Sequence, residues 1–115
     1  SALWRQITTA VADETGTVHA MCMDQALENS LRNAVTPSGI LAPDPQVFQH
    51  MIRQASDIVQ KTAKAKVTPC ILSPDDLRRP LRGLLEGQLP DIPIVAIREL
   101  DKHTELRVVG TISAK

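Results

Sequence analysis

A mostly apolar stretch that runs directly into a helix start constrains this chain more than any other feature. Residues 67–72 are followed without a linker by Ser73, Pro74, Asp75 and Asp76. A capping serine, a proline and two acids in the first turn are typical of a helix N-terminus. A strand without polar alternation is typical of a parallel sheet that is covered on both faces. The junction therefore predicts an α/β fold.

Other strands and helices alternate with this unit along the chain. Asp24 and the pair Asp44-Pro45 predict two more helix starts, and Pro80 should kink or loosen the helix that begins after Ser73. Apolar runs predict strands at residues 17–23, 67–72, 94–97 and 106–112, and helical spacing predicts helices at 3–14, 25–35, 45–64 and 74–86.

These elements predict a small, mostly parallel four-stranded sheet flanked by helices. Residues 98–105 are a short connection, so we expect the last strand to be antiparallel and near an edge. Its alternation predicts that Leu106, Val108 and Ile112 share one face. In this organisation residues 1–14 form a helix that belongs to, or connects from, a preceding subdomain, and residues 15–115 form the α/β subdomain.

Composition argues against several classes of function. The 13 basic and 13 acidic residues cancel, whereas nucleic-acid binders and membrane-surface domains normally carry a basic excess. Trp4 and Phe48 are the only aromatic residues, which argues against binding of single-stranded nucleic acid by base stacking. No run is long enough for a membrane span. Cys22 and Cys70 lie in apolar runs, which favours structural thiols in a reducing compartment.

The sequence offers little for catalysis or cofactor binding. Its five glycines are scattered, so no strand-to-helix turn resembles a phosphate-binding loop. Ser73 lacks a neighbouring base, and the Asp75-Asp76 pair is explained by the helix dipole. His19, Cys22, His50 and His103 do not have the spacing of a tetrahedral metal site. We therefore predict no catalytic, cofactor or metal site.

One charged surface remains for a functional role. Arg78, Arg79 and Arg82 lie on one predicted helix and are followed by Glu86. The ordinary interpretation is a solvated helical face. The alternative is a protein-contact surface, since arginine forms bidentate pairs and is enriched at interfaces.

The order of motifs resembles the C-terminus of the export-gate (FHIPEP) family of type III secretion systems. Pro80 departs from the family pattern, and the motifs do not distinguish the flagellar branch from the virulence branch. Five pieces of the sequence carry the resemblance. They are Leu3-Trp-Arg-Gln-Ile7, Met23-Asp-Gln-Ala-Leu-Glu28, Leu41-Ala-Pro-Asp-Pro45, the run from Cys70 to Glu86 with Leu89-Pro-Asp-Ile-Pro-Ile-Val95, and Val108-Val-Gly-Thr-Ile112.

The resemblance implies a cytoplasmic subdomain of a protein that is integral to the bacterial inner membrane. Such a protein assembles, as a nonameric ring, beneath the export pore of a virulence or flagellar apparatus. It receives chaperone–substrate complexes and contacts gatekeepers and the stalk of the ATPase complex. The resemblance implies neither a cofactor nor an enzymatic activity. It also implies that the isolated fragment is monomeric.

Two other classes remain open at this stage. One is a small α/β enzyme or nucleotide-binding domain, and the other is an oligomerising structural module. A thermal-shift screen with nucleotides tests the first, and light scattering tests the second.

Overall fold

The computed structural model of the chain describes residues 16–100 and 103–114. The helix predicted within residues 1–14 lies outside this range. In chain order the described elements are β1 (Thr17–Met23), α1 (Gln25–Asn33), α2 (Pro45–Ala63), β2 (Cys70–Ser73), α3 (Asp75–Leu85), β3 (Ile94–Ala96), a 3-10 turn (Ile97–Glu99) and β4 (Glu105–Ile112).

The strands form one four-stranded sheet in the order β3-β2-β1-β4, and every neighbouring pair is parallel. The predicted α/β class with a four-stranded, mostly parallel sheet is therefore confirmed. The expectation of an antiparallel last strand is wrong, since β4 runs parallel to β1 at the sheet edge.

The handedness of crossovers explains which face of the sheet the chain takes after β3. The connections from β1 to β2 and from β2 to β3 step in one direction, and right-handed crossovers then place their helices on one face. The step from β3 to β4 goes the opposite way, and Leu100, after β3, packs on the other face, as a right-handed crossover requires.

A bulge in β4 changes which side chains share a face. Val108 and Gly110 lie opposite consecutive residues of β1, so Val109 is the extra residue. Beyond this point the alternation reverses. Leu106 and Val108 therefore point away from the helices, 41% and 53% exposed, while Ile112 is buried beneath them. The expectation that Leu106, Val108 and Ile112 share one face is wrong for this reason.

The two faces of the sheet are both apolar and are covered differently. The described helices all pack on one face, and the second face carries a smaller buried cluster against which Leu100 lies. The larger cluster contains Met21, Met23, Leu27, Leu31, Leu41, Met51, Ala55, Ile71, Leu77, Leu81, Leu85, Ile92, Ile94 and Ile112. The smaller one contains Val18, Ala20, Cys70, Leu72 and Val95.

Two of the predicted helix caps are confirmed by hydrogen bonds. The Asp24 carboxylate accepts from the backbone N–H of Leu27 at 2.7 Å, and α1 begins there. The Asp44 carboxylate accepts from the N–H of Gln46 at 2.8 Å, and Pro45 is the first residue of α2. Each side chain satisfies an N–H that the helix itself leaves without a partner.

The third cap differs from the expectation. Ser73 is the last residue of β2, and its hydroxyl donates to the carbonyl of Pro74 at 2.7 Å. Pro74 itself occupies the cap position of α3, without a capping side chain. The helix continues through Pro80 to Leu85 as one element.

Within residues 16–100 and 103–114, no helix has the length and apolar character that crossing a bilayer requires.

Candidate protein-docking surface

The four residues predicted as a contact surface all lie along α3 or at its end, but they differ in exposure and in partners. The buried side of the helix is made by Leu77, Leu81 and Leu85. Arg79, Arg82 and Glu86 are exposed on the rest of its surface, whereas Arg78 is only half-exposed. Three of the four residues therefore share an exposed helical face, and Arg78 does not.

Arg78 turns toward the 3-10 turn and forms an ion pair with Glu99. Glu99 also accepts a hydrogen bond from the backbone N–H of Ala96 at 3.0 Å. Arg78 therefore holds the chain that leaves β3, which is a structural role.

Both acids at the start of α3 are also paired. Asp75 meets Arg98 of the 3-10 turn at 2.8 Å. Asp76 binds Arg32, at the end of α1, through two hydrogen bonds of 2.6 and 3.2 Å. The hydrogen bond from Arg32 lowers the pKa of Asp76. These pairs fix the first turn of α3 to α1 and to the connection after β3.

A turn between α1 and α2 stands beside this helix. Thr36 begins it, the N–H of Gly39 donates to the Thr36 carbonyl at 2.9 Å, and the N–H of Ile40 donates to the Thr36 hydroxyl at 3.1 Å. Gly39 has φ +85°, a left-handed conformation that other residues rarely adopt. An antiparallel β-bridge between Val35 and Leu41 joins the two ends of the turn. Ile40, within the turn, is 63% exposed.

The turn and α3 enclose a continuous open groove, which we call the α3 groove. It consists of two depressions of about 450 and 510 Å³ that share Gly39, Arg79 and Pro80. The apolar half adds Ile40, Leu41, Gly83 and Leu84. The charged half adds Ser38, Asp75, Asp76, Arg78, Arg98 and Glu99.

Sequence reasoning found Arg79 but missed the apolar half of this groove. Ile40 follows a turn, and Pro80 and Gly83 interrupt a helical pattern, so each could be noted singly. Nothing in the pattern of residues indicates that the turn and α3 are neighbours. That neighbourhood arises because both elements pack on the same face of the sheet.

At the carboxyl edge of the sheet, where ligands of parallel α/β folds usually bind, β1 and β4 remain hydrogen-bonded to their ends. The N–H of Asp24, after β1, donates to the carbonyl of Ile112 in β4 at 3.0 Å. The Asp24 carboxylate already lies at the start of α1, where it opposes an incoming anion. This geometry gives no support to a nucleotide site between β1 and β4.

The cysteines have no features of reactive groups. Both are free thiols on the second face of the sheet, with Cys70 buried and Cys22 half-buried. Burial raises the pKa of Cys70 to about 11, and burial followed by the charge of Glu28 raises that of Cys22. Their thiolates are therefore disfavoured near neutral pH. In the described part of the chain, no three potential metal ligands cluster.

Comparison with known proteins identifies the family. The model of the FHIPEP family matches residues 1–105. The chain belongs to the FHIPEP family. This family comprises the export-gate proteins of type III secretion, so the resemblance seen in the motifs is confirmed.

Named relatives come from both branches of this export-gate family. The chain is 29% identical to the hypersensitivity response secretion protein HrcV of Ralstonia nicotianae and 26% identical to the low calcium response locus protein D of Yersinia pestis. It is 22% identical to the flagellar biosynthesis protein FlhA of Bacillus subtilis. These alignments cover 96–97% of the chain but only 16–17% of each relative.

Solved structures of export-gate proteins share the fold. The chain matches the nonameric SctV-C of EPEC with a TM-score of 0.78 and 27% identity, over 96% of its own length and 34% of that chain. It matches a Chlamydia pneumoniae chain in the CdsV and CdsO complex with a TM-score of 0.80 and 24% identity, over 96% and 34%. The chain therefore corresponds to about a third of these solved export-gate chains.

Proposed function

We propose that this chain is the C-terminal cytoplasmic subdomain of an export-gate protein and takes part in docking export substrates, chaperones or gatekeepers. The observation that carries the proposal is the match of nearly the whole chain to a third of the nonameric SctV-C chain. In this proposal the remaining length of the protein supplies the membrane anchor in the inner membrane. The chain itself lies at the cytoplasmic face.

Ring formation belongs to the same proposal. SctV-C and the EscV cytosolic domain are nonamers in their solved structures. We expect the full-length protein to form such a ring through parts that precede this chain, and the isolated chain to be monomeric. CdsV is seen with CdsO, which supports a role of these domains in binding other components. For this chain we propose the stalk of the ATPase complex as a further partner.

The exposed arginines of α3 are the part of the surface that we assign to docking. Arg79 and Arg82 are exposed, and in residues 16–100 and 103–114 neither of them forms an ion pair. Arg78 is left out of the charge-reversal variant, because Arg78→Glu would place a second carboxylate against Glu99 and disturb the fold. Glu86, at the end of α3, adds an opposite charge to the same face.

The test is a secretion assay with the full-length protein in its own bacterium. A strain that lacks the gene is complemented with the wild type, with Arg79→Glu/Arg82→Glu, or with the control Arg53→Glu on the exposed side of α2. We expect the double variant to lower secretion at an unchanged protein level, because reversed charges repel an acidic partner. Normal secretion by the double variant would remove these arginines from the proposal. Normal secretion by the strain without the gene would overturn the export role itself.

A further inference from the structure

The α3 groove combines an apolar half with a charged half, and the two meet at Arg79. In the apolar half Ile40 is 63% exposed, and Leu84 is partly buried against the core. Gly83 leaves the surface of α3 open there, since a Cβ at this position would meet no atom within 4 Å. The apolar half therefore has room for a side chain from outside.

The charged half has one charge that no other described residue neutralises. Each of its three carboxylates is bound to an arginine, in the pairs Asp75–Arg98, Asp76–Arg32 and Glu99–Arg78. Arg79 also lines this half, and it forms no ion pair with any other described residue. A positive charge is left where the two halves join.

We propose that the α3 groove binds a linear peptide segment that carries a large apolar side chain next to an aspartate or glutamate. This inference rests on the proposed docking role and names the chemistry of the partner. The apolar side chain would cover Ile40 and Leu84, and the acid would pair with Arg79, whose planar guanidinium suits a carboxylate. A basic segment would be repelled, and a wholly apolar one would bury Arg79 without a partner.

The probe is a library of random linear peptides displayed on phage and selected against the 115-residue chain. Gly83→Phe fills the apolar half, and Gly87→Phe is its matched control, because a Cβ at Gly87 also meets no atom within 4 Å but lies outside the groove. Arg79→Glu reverses the free charge, and Arg53→Glu on α2 is its control. Circular dichroism melts confirm that each variant is folded.

We expect the selected peptides to place Asp or Glu within a few residues of a large apolar residue. Their affinity should fall about tenfold or more for Gly83→Phe and for Arg79→Glu, and should be unchanged for both controls. Selection of basic or wholly apolar peptides would overturn the inference, as would equal binding to the groove variants and their controls. A library that yields no binder would also overturn it. A failed peptide selection would leave the export role standing, because that role is tested separately by secretion in the strain without the gene.

Discussion

Gly110 of β4 lies against α2, and we expect its replacement by alanine to destabilise the fold through one contact. The added Cβ would lie 2.5 Å from Ile58 Cδ1 and 2.8 Å from Ile58 Cγ1. Carbon atoms pack at about 3.5–4.0 Å, so the two side chains must separate by about 1 Å. Ile58 is β-branched and has one strongly preferred χ1 rotamer in a helix, which limits its escape. We expect a loss of about 1–3 kcal/mol in the free energy of unfolding.

Urea denaturation followed by circular dichroism measures this loss. Gly83→Ala is the matched control, since its Cβ meets nothing within 4 Å and alanine should stabilise α3 by up to about 1 kcal/mol. The same Gly110→Ala change is then made in an Ile58→Ala background. There the obstructing atoms are gone, and the cost of Gly110→Ala should fall to within about 0.5 kcal/mol of zero.

The two backgrounds separate a steric cost from a backbone cost. An equal loss with and without the Ile58 side chain would show that the strand backbone requires glycine, and would refute the steric reasoning. Wild-type stability of Gly110→Ala in the native background would refute it as well, because α2 and β4 would then separate freely.

Two further predictions concern polar contacts. Gln54→Leu should cost about 1–3 kcal/mol in urea denaturation, against little for the exposed Gln49→Leu, because Gln54 bonds both the N–H and the carbonyl of Ser113. The lowered pKa of Asp76 means that its pair with Arg32 stabilises the fold above the ordinary aspartate pKa of about 3.9 and is lost as the pH falls through the lowered value. Asp76→Asn should therefore reduce the free energy of unfolding slightly at neutral pH and not in strong acid. If the variant and the wild type differed by the same amount at both pH values, the Asp76–Arg32 pair would not be the cause.

Local signals were enough to predict most of the elements. Asp24 and Asp44 satisfy helix N–H groups within their own turn, so their role is written in a few neighbouring residues. The continuous apolar character of residues 94–96 likewise reflects a strand that is buried on both faces. The caps depend on contacts between residues close in sequence, and the burial of this strand leaves its record in the strand's own composition.

The direction of β4 and the α3 groove depend on contacts that no local pattern contains. The antiparallel expectation failed because a short connection favours a neighbouring antiparallel strand, whereas β3 and β4 lie at opposite edges of the sheet. The bulge at Val109 reversed the faces of the strand, although the alternation of its residues is regular. The sequence does not show that Arg78 is ion-paired and Arg79 is not, because Glu99, the partner of Arg78, lies beyond the next strand.

The position of β4 beside β1 has a consequence for the synthesis of the protein. Thr17 and Glu105 are in contact although 88 residues separate them, so β1 leaves the ribosome long before its neighbour exists. Until residue 105 and those after it emerge, β1 is an open edge with an apolar row, which is prone to pairing with other chains. We expect nascent chains to depend on chaperone protection during this interval, and late stop codons to yield an aggregating product.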